Sequence, residues 1–155
     1  MAAFKTILFS AIGLTVAVTG GMFVLGQASQ RGAAAGIVGG TLAPCPTNTS
    51  NCVSSEAGTP DGKRVEPFPL ESWETLPAMI EDMGGEIIST SDGYIAASFT
   101  SGTFGFVDDL ELRKGDDGVH VRSASRVGYS DMGVNAARVG KLRDAVFAAA
   151  PEPVT

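Results

Sequence analysis

The sequence is poor in the residues on which many enzyme active sites depend. It contains one histidine, His120, and two cysteines, Cys45 and Cys52. A zinc site needs four ligands, or three and a water, and these side chains alone do not supply them. A serine-type triad would depend on His120, and no serine lies in a G-x-S-x-G turn. Phosphate-loop and dinucleotide-loop patterns are also absent, so we predict no metal, no cofactor and no catalytic residues.

Positive charge is also scarce. The chain has 11 basic and 17 acidic residues and a net charge of -6. Non-specific nucleic-acid binding requires a basic surface, so we expect no nucleic-acid partner. Acidic residues dominate 54–117, whereas basic residues outnumber acidic ones after 117. This asymmetry has two interpretations, a solvated surface whose two ends attract each other, or a local arginine cluster that captures an anion.

One long uncharged apolar run is present, over residues 6–25. A helix of about 20 residues spans the roughly 30 Å of a hydrocarbon core. We therefore predict an uncleaved membrane anchor within residues 1–28. The alternative is a signal peptide cleaved after Gly26-Gln27-Ala28. Both alternatives export the remaining chain, which would face the periplasm from the inner membrane or, after cleavage, be free in the periplasm.

Composition divides the remaining chain. Residues 29–43 are rich in Gly, Ala and Ser and predict a flexible tether. Residues 44–69 include five prolines and predict an extended, irregular segment. The length suits one domain of ordinary size. We place that domain over 44–150 and a short tail over 151–155.

Apolar residues recur at helical spacing in two places. The first predicts a helix over 71–83, although Pro77 in its middle favours a kink or a start nearer Thr75. The second predicts a helix over 135–149, with Asn135 as its N-cap.

Between these helices the pattern alternates. It predicts strands over 86–89, 94–100, 104–113 and 119–126, joined by hairpin turns at 91–93 and 114–118. The alternation suits an antiparallel sheet with one covered face and one wet face, on which His120 would be exposed. We therefore predict an α+β fold, in which two helices cover a roughly four-stranded antiparallel sheet in two layers.

The two cysteines are predicted to pair. An exported chain lies in an oxidising compartment, where a disulfide between Cys45 and Cys52 is the default. Closing so short a loop stabilises the fold by roughly 2–3 kcal/mol. A metal site or a redox pair are the alternatives, and the spacing favours neither.

Several motifs resemble those of a known family. They are CP at 45–46, SNCVSS at 50–55, FVDD at 106–109, VRSASRVGYSD at 121–131 and GVN at 133–135, with Arg138. In this order they resemble domain of unknown function family 1499. The resemblance implies a small bacterial or plastid-related protein, often exported or membrane-attached, and transfers no catalytic residue. Ala136 and Ala137 depart from the charged residues that the family often has there.

The richest polar cluster is the candidate binding surface. Its members are Asp108, Asp109, Arg122, Ser123, Ser125, Arg126, Tyr129, Asp131, Asn135 and Arg138. One interpretation is structural, with ion pairs and caps that join the sheet to the last helix. The other is functional, with Arg122, Arg126 and Arg138 as a cradle for a carboxylate or phosphate. Asp108 and Asp109 are adjacent in a strand and should point to opposite faces, which disfavours a shared catalytic site.

These observations predict a non-catalytic envelope module. It would be held in the membrane by residues 6–25 and would bind an envelope protein or a small anionic ligand. The alternatives are an accessory structural subunit of a membrane protein complex and a metal-dependent hydrolase that uses Asp108 or Asp109.

Overall fold

The computed structural model describes the backbone of residues 2–149 and the side chains of residues 12–149. The predicted tail, 151–155, lies outside the described residues. The elements are α1 (Ala2–Gln30), β1 (Ile37–Val38), β2 (Thr41–Leu42), β3 (Cys52–Ser54), α2 (Leu76–Asp82), β4 (Glu86–Ser91), β5 (Tyr94–Thr100), β6 (Val107–Lys114), β7 (Val119–Ser125) and α3 (Val134–Ala149). Two short 3-10 turns lie between β3 and α2.

The predicted fold class is confirmed, because an antiparallel sheet and helices follow an apolar N-terminal helix. The sheet has five strands rather than four, in the order β3-β7-β6-β5-β4. The additional strand is β3, in the segment predicted to be irregular, where Cys52 pairs with Ala124 and Ser54 pairs with Arg122. So short a strand carries too little periodicity to be recognised in a sequence.

Helix α2 begins at Leu76, so the predicted start near Thr75 is confirmed and the longer helix over 71–83 does not form. Pro77 lies in the first turn of α2. The amides of a first turn have no intrahelical acceptor, so the missing N–H of proline costs nothing there. The residues before α2 form a 3-10 turn, Leu70–Ser72.

Helix α3 begins at Val134, and the prediction that Asn135 is its N-cap is wrong. The carboxylate of Asp131 accepts hydrogen bonds from the amides of Gly133 and Asn135, at 3.0 and 2.7 Å. Asp131 therefore satisfies one free amide of the first turn, that of Asn135, and the amide of Gly133 just before it. Asn135 is fully buried and serves a different role, described below.

The apolar core lies between the sheet and helices α2 and α3. Leu76 and Ile80 of α2 and Val139 and Leu142 of α3 are almost inaccessible to solvent. They pack on one face of the sheet, whose buried side chains include Val53, Ile95, Ala97, Leu110, Leu112, Val119 and Val121. Burial of this apolar surface is the main stabilising contribution to the domain.

The second face of the sheet, predicted to be wet, is covered as well. The segment between α1 and β3 crosses it, and the amide of Gly36 donates a hydrogen bond to Glu111 at 2.5 Å. The amide of Leu42 donates to Glu56 at 2.9 Å. His120, expected to be exposed, is 7% exposed. This face can be polar without being wet, because most of its buried side-chain atoms find hydrogen-bond partners inside the protein. Nε of Arg122 is an exception.

The predicted flexible tether, 29–43, contains ordered structure instead. Strands β1 and β2 form a hairpin in which Ile37 lies opposite Leu42. Gly39 and Gly40 form its turn with φ values of 62° and 87°. The glycines that favoured flexibility in the sequence therefore provide the positive φ that a two-residue hairpin turn requires.

Helix α1 ends against the start of β6. The Ser29 hydroxyl accepts a hydrogen bond from the amide of Val107 at 3.0 Å, and the Gln30 side chain donates to the carbonyl of Gly105 at 3.1 Å. Strand β6, predicted from residue 104, begins at Val107, since residues 104–106 form a loop beside α1. By length and apolar composition alone, Ile12–Gln30 could cross a membrane.

Candidate functional site

Nine of the ten candidate residues form two groups on opposite faces of the sheet, and Tyr129 lies outside both. Asp108 points towards α3 and pairs with Arg138, whereas Asp109 points towards the N-terminal segment and pairs with Arg126. Alternation along β6 causes this division, because neighbouring strand residues project to opposite faces. The two aspartates therefore do not share a site.

The helix-side group joins the sheet to α3. It consists of Asp108, Ser123, Ser125, Asp131, Asn135 and Arg138. Asn135 is at its centre: its carbonyl oxygen accepts hydrogen bonds from the Ser123 hydroxyl and from Arg138, both at 2.6 Å. Its amide nitrogen donates to Asp131 at 2.8 Å and to Ser125 at 3.1 Å. Arg138 also donates to Asp108 at 2.7 Å.

The charge of Asp131 is stabilised within this group. Burial favours the neutral acid, but hydrogen bonds from the amides of Asn135 and Gly133 and from the Asn135 side chain outweigh burial and lower the pKa of Asp131. Asp131 is therefore a fixed negative charge at the start of α3, where the helix dipole favours an anion.

The hairpin-side group lies between the sheet and the β1–β2 hairpin. It consists of Asp109, Arg122 and Arg126, from the candidate set, and of Glu56, Tyr94, Glu111, Arg113 and His120. Arg126 binds both oxygens of Asp109, at 2.7 and 2.8 Å. Arg122 donates to Glu111 at 2.8 Å, and this pair is directly opposed across β6 and β7. Paired guanidinium and carboxylate groups are the form in which charges are found buried.

A second part of the hairpin-side group is centred on Glu56. Its carboxylate accepts two hydrogen bonds from Arg113, at 2.8 and 3.0 Å. Burial of Glu56 favours the neutral acid, but Arg113, the Leu42 amide and the nearby His120 outweigh burial and lower the pKa of Glu56. The same pair raises the pKa of Arg113. The pair therefore stays ionised.

Sequence reasoning missed several members of the hairpin-side group. Glu111 is fully buried and Tyr94 donates a hydrogen bond to it at 2.8 Å. Burial and this hydrogen bond raise the pKa of Tyr94. Two of the missed residues, Glu111 and Arg113, lie in β6 at spacings of two from Asp109, with leucines between them. Residues two apart in a strand share a face, so this alternation could have placed them beside Asp109. Glu56 carries no such signal, because it lies in a loop.

Tyr129 joins neither group. Its side chain is 71% exposed, and its backbone carbonyl accepts a hydrogen bond from the amide of Ser50 at 2.7 Å. The loop that carries Tyr129 follows Arg126. The disulfide beside this loop joins Cys45 to Cys52, the first residue of β3. The predicted pairing of the two cysteines is confirmed.

A shallow groove opens beside the helix-side group. Its volume is about 470 Å³, and it is lined by Met83, Phe99, Val134, Ala137, Arg138 and Lys141. The guanidinium of Arg138 lies 4.4 Å from the centre of the Phe99 ring. The groove therefore has an apolar floor and two basic side chains at its edge. Arg138 is the one candidate arginine that borders it.

The described residues do not assemble a metal site. Among residues 2–149, no group of three or more His, Cys, Asp or Glu side chains is arranged to hold an ion. The carboxylates of the two candidate groups instead contact arginines, amides and hydroxyls of the chain.

Comparison with known families decides the classification. Residues 41–146 match the family described as Protein of unknown function (DUF1499). The chain belongs to the DUF1499 family. The matched region begins at β2 and ends within α3, so the DUF1499 domain contains both polar groups and the disulfide. No curated protein matches the chain, and no solved structure matches it.

Proposed function

We propose that this DUF1499 protein is a non-catalytic module of the bacterial cell envelope that binds another envelope protein. Helix α1 would anchor it in the inner membrane, with the DUF1499 domain on the periplasmic side. The apolar length of Ile12–Gln30 and the disulfide support export. The partner would contact the groove beside Arg138 with an apolar segment that carries acidic side chains.

One observation carries this proposal. Arg122 and Arg126 are committed to Glu111 and Asp109 on the hairpin side, whereas the groove on the helix side remains open with a basic edge. A buried ion pair is costly to break, so these two arginines act as internal scaffold rather than as ligands. Arg138 is paired with Asp108 and buried to a similar degree, so recognition is left to Lys141 and the apolar floor.

The form of the groove favours a protein over a small anion. Arg138 already donates to Asp108 at 2.7 Å, so a free carboxylate or phosphate would compete with an internal carboxylate. A protein segment gains additional contacts from the apolar floor, at Met83, Phe99 and Val134. Interfaces combine such an apolar centre with a polar rim.

Site-specific photocrosslinking in native membranes tests the proposal. A photoreactive phenylalanine analogue replaces Ala137, which lines the groove, and in a control protein it replaces Asp116, in the distant β6–β7 turn. We expect one discrete adduct from position 137 and none from position 116. Mass spectrometry then identifies the partner.

A charge reversal establishes whether the adduct depends on the groove. Lys141→Glu should lower the yield of the adduct by about five-fold or more, which corresponds to about 1 kcal/mol of lost charge interaction. Lys141→Arg is the matched control and should retain the adduct. Equal yields from positions 137 and 116, or a yield that Lys141→Glu leaves unchanged, would contradict binding at this groove.

A further inference from the structure

Three loops meet at the end of the sheet beside α1. Thr100 pairs with Val107 and Asp108 pairs with Ser125, so the β5–β6 loop, 101–106, and the β7–α3 loop, 126–133, project from the same end. Strand β3 is antiparallel to β7, so the disulfide loop before β3 lies at this end as well. We call this the α1 end of the domain.

The β5–β6 loop packs along the side of α1. The ring centres of Phe104 and Phe23 are 5.2 Å apart. At Gly26 the backbone is so close that an added Cβ would lie 1.8 Å from the Phe104 carbonyl oxygen. Further along α1, the Gln30 side chain and the Ser29 hydroxyl contact the carbonyl of Gly105. The loop therefore follows α1 from its last turn back towards its N-terminus.

The contact at Phe23 places this loop at the depth of the apolar run. Phe23 lies within the uncharged segment 6–25. It precedes Ser29 by six residues, which corresponds to about 9 Å along the helix axis. If α1 crosses a membrane with its apolar run in the hydrocarbon core, the tip of loop 101–106 reaches the boundary between headgroups and acyl chains.

The α1 end also exposes apolar side chains on the β7–α3 loop and at the first residue of α3. Met132 is 97% exposed, Tyr129 is 71% exposed and Val134 is 49% exposed. Met132 adopts a φ of 55°, which is unfavourable for a residue with a side chain. The β5–β6 loop contains two phenylalanines and no charged residue. Aromatic and apolar side chains of this kind are enriched where proteins meet the membrane interface.

We propose that the α1 end is a lipid-contacting surface. The β5–β6 loop and the side chains of Tyr129 and Met132 would rest in the headgroup region of the leaflet from which α1 emerges. The domain would then be held against the bilayer at a fixed height, rather than on a tether. This inference rests on the anchoring by α1 in the proposed function, and the two are tested separately below.

Tryptophan quenching by brominated lipid measures this contact. The full-length protein is reconstituted in vesicles of phosphatidylethanolamine, phosphatidylglycerol and phosphatidylcholine brominated in the upper acyl chain. The chain has one tryptophan, Trp73, and it lies beside Lys114, at the far end of β6. Strand β6 is eight residues long, so its two ends lie about 23 Å apart. Trp73 is therefore a built-in control that the lipid should not quench.

The test variants are made in a Trp73→Phe background. Met132→Trp and Tyr129→Trp each place the probe at the α1 end, and either one suffices if the other does not fold. Asp116→Trp is the matched control in the distal turn, and Val16→Trp marks the membrane-embedded helix. We expect quenching of Met132→Trp, Tyr129→Trp and Val16→Trp, and none of Asp116→Trp.

The outcomes separate the two proposals. Quenching of Val16→Trp without quenching of the two loop variants overturns the lipid contact and leaves membrane anchoring intact. Absence of quenching in Val16→Trp, with protein that does not float with the vesicles, overturns both proposals. Equal quenching of Asp116→Trp and Met132→Trp would also reject a contact specific to the α1 end.

Discussion

At the scale of single residues, the most constrained charge is Glu111. It is fully buried, and its carboxylate accepts hydrogen bonds from the Gly36 amide, the Tyr94 hydroxyl and Arg122. These contacts join β5, β6, β7 and the N-terminal segment through one side chain. An unpaired buried charge is far more costly than a paired one. The integrity of the hairpin-side group therefore depends on both charges of the Glu111–Arg122 pair.

Glu111→Gln should destabilise the domain by about 3 kcal/mol or more, because it leaves the charge of Arg122 buried without its counter-ion. Urea unfolding of the full-length protein in detergent, followed by circular dichroism, measures this loss. The double variant Glu111→Gln/Arg122→Met should be less destabilised than the sum of the single variants.

An exposed pair provides the control. Arg64 and Asp61 lie 3.9 Å apart with solvent-accessible side chains, so Asp61→Asn should change the stability by less than about 1 kcal/mol. Equal losses in Glu111→Gln and Asp61→Asn would show that burial does not govern the pair.

Acid should destabilise the domain through Glu56. Its pKa in the folded protein lies below the ordinary value of 4.5, so the folded state holds the ionised form more tightly than the unfolded state does. The contribution to stability is present above pH 4.5 and is lost as the pH falls through the folded pKa. The pKa of Asp131 is also lowered, so Asp131 contributes to the same loss of stability in acid.

Glu56→Gln should therefore lose less stability than the parent protein as the pH falls below the ordinary pKa of 4.5. Urea midpoints measured across this range test the prediction. If stability falls as steeply with decreasing pH in the variant as in the parent, Glu56 does not contribute to the destabilisation by acid.

At the scale of secondary-structure elements, the central feature is the join between α1 and β6. Ser29 has no exposed surface, and its hydroxyl contacts Gly26, Gly105 and Val107. Arg126 reaches the Ser29 carbonyl while it binds Asp109. The hairpin-side group thus extends to the end of α1, so the apolar helix and the sheet are connected directly.

Gly26→Ala should disrupt this join, since the new methyl group would collide with the Phe104 carbonyl. We expect a loss of about 1–3 kcal/mol in stability, typical of overpacking. Gly21→Ala is the matched control: it lies in the same helix with no neighbour within 4 Å, and alanine favours a helix over glycine.

Thermal unfolding of the two full-length variants in detergent distinguishes them. The melting temperature of Gly26→Ala should fall below that of the parent, whereas Gly21→Ala should match or exceed it. Identical melting temperatures would show that the close approach of α1 to the β5–β6 loop contributes nothing to stability.

At the scale of the whole molecule, covalent and non-covalent contacts close the N-terminal segment onto the sheet. The disulfide joins Cys45 to Cys52, the first residue of β3, and the β1–β2 hairpin covers the polar face beside it. The family match begins at β2, so the matched DUF1499 region includes the second strand of this hairpin and the disulfide. The domain is therefore layered on both sides of its sheet, with an apolar core on one side and an ion-pair network on the other.

Removal of the disulfide should test both stability and location. The variant Cys45→Ala/Cys52→Ala should lose roughly 2–3 kcal/mol, the loop-closure contribution of a short ring. In intact cells, a membrane-permeant alkylating reagent should modify the parent cysteines only after reduction. Modification without reduction would place the domain in a reducing compartment and refute the proposed periplasmic location.

Much of this architecture could be predicted from local sequence patterns. Alternation in 107–114 and 119–125 indicated two paired strands, glycines marked their turns, and the uncharged run indicated a long apolar helix. Each of these signals depends on residues close together in the chain, whose periodicity reflects the geometry of a helix or strand. The cysteine pairing was also predictable, because so few alternatives existed.

Only the tertiary structure decided which charges meet and what covers them. Glu56 and Arg113 are 57 residues apart, and Ser29 and Arg126 are 97 residues apart. No local period records such contacts, so the sequence could not indicate that the polar face is buried or that α1 joins the sheet. The pattern of side chains determined which face was polar, and long-range packing determined that this face would be dry.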